Sequence, residues 1–165
     1  LAALVGKKQF MNEFKFGGVF FSSTFGSELV SMAAAVAAIK FMKKHDVAKK
    51  IWEVGSKLKH EYNCYAKELE GRGLNTSSNG LPPALYVSFK KANGERSLEM
   101  ASYFMQETVK RGVMFGLGQY PNFAHTKEDV DYSLKVVKDV LGRMAEIGEK
   151  NIKKHLKGYV MKVVF

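Results

Sequence analysis

Between residues 47 and 69 the apolar side chains fall at Val47, Ile51, Val54, Leu58, Tyr62, Tyr65 and Leu69. Steps of three and four residues place them on one stripe of a helix. An earlier helical pattern covers residues 26 to 45, where Leu29, Met32, Val36, Ile39 and Met42 are interleaved with alanines. That mixture predicts a helix with a small-residue face that another helix or sheet can approach closely. Asp46, between the two, reads as an N-cap that restarts the helix. Further on, Ser97 caps a predicted helix ending at Lys110, with Leu98, Ala101, Met105 and Thr108 among its inner positions and Gly112 as its left-handed stop. Thr126-Lys127-Glu128-Asp129 is close to a capping box, and the helix it opens carries the stripe Val130, Leu134, Val137 and Leu141.

The strand signals are shorter. Residues 84 to 89 alternate, with Leu85, Val87 and Phe89 on one face, and residues 113 to 117 follow the Gly112 stop as a further strand. Near the start, residues 1 to 6 (LAALVG) and 16 to 21 (FGGVFF) predict short strands on either side of one or two helical turns at residues 8 to 14. Residues 71 to 83 collect Gly, Asn, Ser and a Pro-Pro pair and predict a loop; KKANGE at residues 90 to 95 predicts a turn. From residue 150 onward the chain is basic and then apolar, a pattern that specifies no element. The order of elements is an α/β or α+β layout, with a boundary within the first long helix.

Length and charge narrow the function. The chain has 165 residues, enough for one domain with a proper core or one domain and part of another. The net charge of +10, from 26 basic and 16 acidic residues, raises the question of nucleic acid. Arg72, Arg96, Arg111 and Arg143 are its only arginines, whereas phosphate and guanine recognition favours arginine forks. The lysines fall mostly on the polar faces of predicted helices, the usual pattern of a solvated face. The longest small and apolar run, residues 29 to 39, is too short to span a bilayer, and no charged-then-apolar leader opens the sequence. With Cys64 as the single cysteine, these features fit a cytoplasmic protein. The opening Leu1 and the strand-like segment behind it, which needs neighbours to pair with, read as a cut through a larger protein.

Candidate chemistry is sparse. His45, His60, His125 and His155 have no mutual spacing suited to a helical zinc site. His125 precedes the capping box, where a backbone-facing role is expected, and Cys64 beside Tyr62 and Tyr65 reads as a packed thiol without a local base. The Gly116-Leu117-Gly118 triplet lacks the third glycine of a nucleotide loop, and Lys7 and Lys8 read as solvated rather than as Schiff-base lysines. Ser22, Ser23 and Thr24 stand between an apolar segment and an alanine-rich helix. Hydroxyls there serve either as helix caps or, with the first-turn N–H groups and the positive end of the dipole, as an anion site. No complete set of nucleophile, base and orienting group is found.

Four ordered segments, LAALVGKKQFM, VFFSSTFGSELVSMAAAVAAI, TVKRGVMFG and NFAHTKEDVDYSL, together with the ending LKGYVMKVVF, resemble the C-terminal part of the class III aminotransferases. These are pyridoxal-phosphate enzymes of fold type I, and the nearest look is to the glutamate-1-semialdehyde aminomutase branch. The resemblance implies the end of the large cofactor domain at residues 1–25, a connecting helix at 26–46 and the small domain at 47–165. It implies pyridoxal 5'-phosphate as cofactor and a homodimer in which Ser23 and Thr24 reach the phosphate of the neighbouring subunit's cofactor. It also places the cofactor lysine upstream of Leu1, so that this chain alone would be inactive, and gives residues 116 to 123 the task of closing one side of the active site. Where many members carry an arginine for the substrate carboxylate, this sequence has Asn122, and a carboxylate fork is missing there. The rival expectation is a stand-alone basic binding module without catalysis.

Overall fold

The computed structural model describes residues 3–16, 18–20, 24 and 28–162. The chain divides into two compact units, Leu1–Val47 and Ala48–Phe165. The first holds the short helices α1 (Lys8–Met11) and α2 (Glu13–Phe16) and the longer α3 (Leu29–Lys44). The expected strands at residues 1–6 and 16–21 are not formed by their described residues: 3–6 and 18–20 are irregular, and residue 16 closes α2. A strand must exchange hydrogen bonds with a neighbour, and among the described residues neither segment has one. Asp46 lies in the left-handed region at φ 45°, a turn conformation rather than the extended one of an N-cap.

The second unit is built from α4 (Val47–Glu70), β1 (Asn75–Leu81), β2 (Ala84–Lys90), α5 (Leu98–Lys110), β3 (Gly118–Gln119), α6 (Lys127–Ile147), α7 (Glu149–Ile152) and a 3₁₀ turn at Lys153–His155. The strands form an antiparallel sheet in the order β1-β2-β3, with Ser78 opposite Val87 and Leu85 opposite Gln119. This mixture of helices and a small antiparallel sheet is compatible with a fragment of an α/β protein. Leu85, Val87 and Phe89 of β2 enter a single core with Leu58 and Tyr62 of α4, Met100 and Phe104 of α5, and Val137, Val140 and Leu141 of α6. Phe104 is fully buried at its centre, with ring centroids 5.3 Å from Phe89, 5.7 Å from Phe115 and 6.3 Å from Tyr62. The helix signals worked as read: Ser97 Oγ accepts from the Met100 N–H at 3.2 Å, Gly112 has φ 77°, and Thr126 and Asp129 close a reciprocal capping box.

The sheet corrects two expectations. Residues 71–83 are not one loop, because Asn75–Leu81 is β1. Its inward positions are Thr76 and Ser78, buried hydroxyls in place of apolar groups. The Thr76 hydroxyl is satisfied by α4 and β2: Tyr62 Oη meets Thr76 Oγ1 at 2.6 Å, and Thr76 Oγ1 donates to the Ser88 carbonyl at 2.9 Å. The Asn63 side-chain amide takes the place of a neighbouring strand for Ser78, accepting its N–H at 2.8 Å and donating to its carbonyl at 3.0 Å. Lys59 donates to the Gly80 carbonyl at 2.8 Å, so α4 covers an edge that would otherwise expose unpaired backbone. The second correction is β3, which forms at Gly118–Gln119 instead of residues 113–117; only the Leu117 carbonyl, accepting from the Val87 N–H at 2.7 Å, extends the pairing backward.

Candidate functional site

The hydroxyl motif belongs to the first unit. Ser23 lies outside the described residues, as does Ser22. Thr24 is exposed in a turn, and no hydrogen bond engages it among the described residues. α3 begins at Leu29 with Glu28 as its N-cap, without a side-chain cap bond; the Glu28 carboxylate instead accepts from Ser31 Oγ. Thr24 is therefore not the cap of α3. Lys7 and Lys8 are exposed, as expected of solvated lysines.

The second unit contains a cleft of about 320 Å³, within the size range of small-molecule sites. Its floor is apolar, formed by Leu58, Val113, Phe115 and Val130, and its wall is the segment Gly118 to Asn122. That wall is pinned by its own backbone: Gln119 Nε2 donates to the carbonyls of Gly116 at 2.5 Å and Leu117 at 2.9 Å. Asn122 makes an Asx turn, its Oδ1 accepting from the Ala124 N–H at 3.0 Å. The Asn122 N–H donates to His125 Nδ1 at 3.2 Å, a bond that requires the tautomer with its proton on Nε2. His125 thus faces backbone, as its position before the capping box predicted.

Across the cleft stand Asp129 and Ser133, one helical turn apart on α6. Asp129 Oδ2 accepts from the Thr126 N–H at 2.9 Å and from Thr126 Oγ1 at 2.8 Å. The backbone bond first, and the hydroxyl second, hold its carboxyl below the ordinary carboxylate range. Next in sequence to the wall, the Phe123 carbonyl accepts from Lys50 at 2.8 Å, and the Lys50 ammonium lies 4.6 Å from the centre of the Phe123 ring. Among the described residues no nucleophile in the cleft is hydrogen-bonded to a base, so they form no complete reacting set. Tyr120, Asp129 and Ser133 were not singled out from the sequence. The i,i+4 spacing of Asp129 and Ser133 beside Val130 was the available signal, obscured because Asp129 already explains itself as a cap.

Elsewhere, Cys64 corrects an expectation. It is exposed, not packed, and a base is nearby, with its Sγ 3.7 Å from His60 Nε2. Cys64 lies two residues, about 200°, around the helix from buried Tyr62, which turns it to solvent. Among the described residues no group of three metal-ligating side chains forms, and no helix is long and apolar enough to cross a membrane.

No family model matches the chain. Over 151 residues it is 25% identical to proteins named glutamate-1-semialdehyde 2,1-aminomutase from two strains of Desulfitobacterium hafniense, covering 86% of this chain and 35% of each relative. The protein of that name from Archaeoglobus fulgidus is 27% identical over 151 residues, covering 82% of this chain and 34% of the relative. The chain is distantly related to these aminomutases and spans about a third of their length.

Proposed function

We propose that this chain is the C-terminal portion of a pyridoxal-phosphate-dependent aminomutase or aminotransferase, working as a homodimer. The observation that carries the reading is the distant relation to glutamate-1-semialdehyde 2,1-aminomutases, which runs through more than four-fifths of this chain and through one third of theirs. In this reading residues 1–25 end the large domain, 26–46 form the connecting helix and 47–165 the small domain. When bound, the cofactor supplies the electron sink that amino transfer needs.

This chain's own contributions are binding and enclosure. The exposed, unengaged hydroxyl of Thr24 suits a phosphate oxygen, and Ser23 beside it is its expected companion across the dimer interface. The fit stops there: Lys7 and Lys8 are exposed, without the desolvation that prepares a lysine for covalent attachment, and we assign that attachment to neither. The chain alone is accordingly expected to be inactive. The cleft behind residues 118 to 122 forms the substrate-facing wall. The exposed apolar side chains of α3, among them Leu29, Val30, Val36 and Ile39, support burial against the dimer partner or the large domain.

The test is Thr24→Ala in the complete protein, read as the dissociation constant for pyridoxal 5'-phosphate by fluorescence titration. Loss of a hydrogen bond to a charged group should weaken binding by about tenfold or more, with the affinity for unphosphorylated pyridoxal unchanged. Equal weakening for both, or for neither, contradicts the phosphate contact.

A further inference from the structure

We propose that the cleft of the second unit takes an organic ammonium ion, anchored at Asp129 with its apolar body on Leu58, Val113 and Phe115, and turns away a carboxylate. The inference rests on that cleft being the substrate-facing wall, and it concerns which charge the wall accepts.

The lining contains one carboxylate and no lysine or arginine. The neighbouring cations are committed elsewhere: Lys50 to the Phe123 carbonyl and ring, and Lys57 to Asp131 at 2.5 Å. His125, also in the lining, accepts the Asn122 N–H on Nδ1 and acts on Asp129. Asn122 offers only an amide, and its oxygen is already used by the Ala124 N–H. An incoming carboxylate would therefore find no lysine or arginine in the lining, whereas an ammonium meets an existing carboxylate.

One feature opposes this and is outweighed. α6 begins at the cleft, and a helix N-terminus carries about half a positive charge that favours anions. Here Asp129 stands both in the first turn and in the lining, and its full negative charge exceeds that half charge. Lys127, in the same turn, acts on Asp131, away from the cleft lining. The Asp129 Oδ2 is held by Thr126, which aims the carboxylate and keeps it ionised at neutral pH.

Benzylammonium and benzoate, nearly equal in shape and opposite in charge, test the proposal by NMR titration of the isotope-labelled chain. Benzylammonium should perturb Val113, Phe115 and Ser133 with a response that weakens as salt is raised, and benzoate at the same concentration should not. Asp129→Asn keeps an acceptor for the Thr126 N–H and should weaken benzylammonium about threefold, the scale of a solvent-accessible pair. Asn122→Arg, at an exposed position, should bring benzoate into the cleft. Benzoate binding as well as benzylammonium, neither probe binding, or an unchanged affinity in Asp129→Asn would overturn the proposal. None of these outcomes moves pyridoxal-phosphate affinity at Thr24, so a failure here and a failure of the cofactor reading are told apart.

Discussion

α3 and α6 are both rich in apolar residues, yet none of the 16 residues of α3 is buried, whereas Val130, Leu134, Val136, Val137, Val140, Leu141 and Met144 are buried among the 21 of α6. The difference lies in arrangement. α6 sorts its apolar residues onto one face and its charges onto the other, so one layer of core covers what must be covered. α3 is apolar around much of its circumference, with Leu29 and Val30 adjacent and alanines between, a pattern of helices enclosed on several sides. Alanine-rich propensity alone gives marginal stability at this length. The comparison teaches that the second unit contains its own reason to fold, while α3 leaves its apolar side chains exposed.

The largest expected effect is on the covered side of that comparison. Phe104→Ala, emptying the centre of the core, should cost about 3–5 kcal/mol in denaturant unfolding; a loss below 1 kcal/mol would mean that the four-ring packing is absent. Gly55→Ala comes next. A methyl there would stand 1.9 Å from the Pro82 carbonyl oxygen, so the roughly 1 kcal/mol that alanine ordinarily adds to a helix should reverse into a loss of about 1–3 kcal/mol. A gain in melting temperature would show that α4 and the β1–β2 turn are not in contact.

Glu107 gives a pH signature of the same unit. Its burial would raise the carboxyl, but hydrogen bonds from Lys110, Arg111 and Gln106 outweigh that and hold it down to about 2. A carboxyl lowered on folding stabilises above its unfolded value, and that contribution is lost as the pH falls. Stability should therefore decline between about pH 4.5 and 2, and Glu107→Gln should flatten that part of the profile. Thr126→Ala, removing one side of the capping box, should cost about 1 kcal/mol. At the small end, Ile39→Ala in α3 should change the stability of this chain by less than about 0.5 kcal/mol. A loss as large as that of Phe104→Ala would mean that α3 is already buried in solution.

The helices were legible because their physics is local. A stripe every three to four residues, Ser97 and Thr126 at the starts and Gly112 at a stop are self-contained signals, and each reappears in the structure. β1 was not legible because its alternation is written in hydroxyls: the Thr76 hydroxyl points inward to Tyr62 and the Ser88 carbonyl, and Asn63 pairs with the Ser78 backbone, partners that are distant in sequence. β3 slid past Val113–Leu117 because register is decided by the facing strand and not by apolar content. At the cleft, residues 118 to 122 fall within the stretch, 116 to 123, to which the family resemblance gave a wall. The floor from Leu58 and Val130 and the facing Asp129 were not expected, since only the packing of α4 against α6 brings them to one place. The exposure of Cys64 follows from a stripe narrower than its neighbours Tyr62 and Tyr65 implied.

The central claim is that this sequence serves a pyridoxal-phosphate enzyme, and it is tested most directly by cofactor stoichiometry. The complete polypeptide that carries this sequence, incubated with pyridoxal 5'-phosphate and dialysed, should retain one cofactor per chain by absorbance, while this chain alone retains none. A complete polypeptide that retains no cofactor, and whose ligand binding instead weakens steeply with salt as phosphate-backbone contacts do, would contradict the account in favour of a basic binding module.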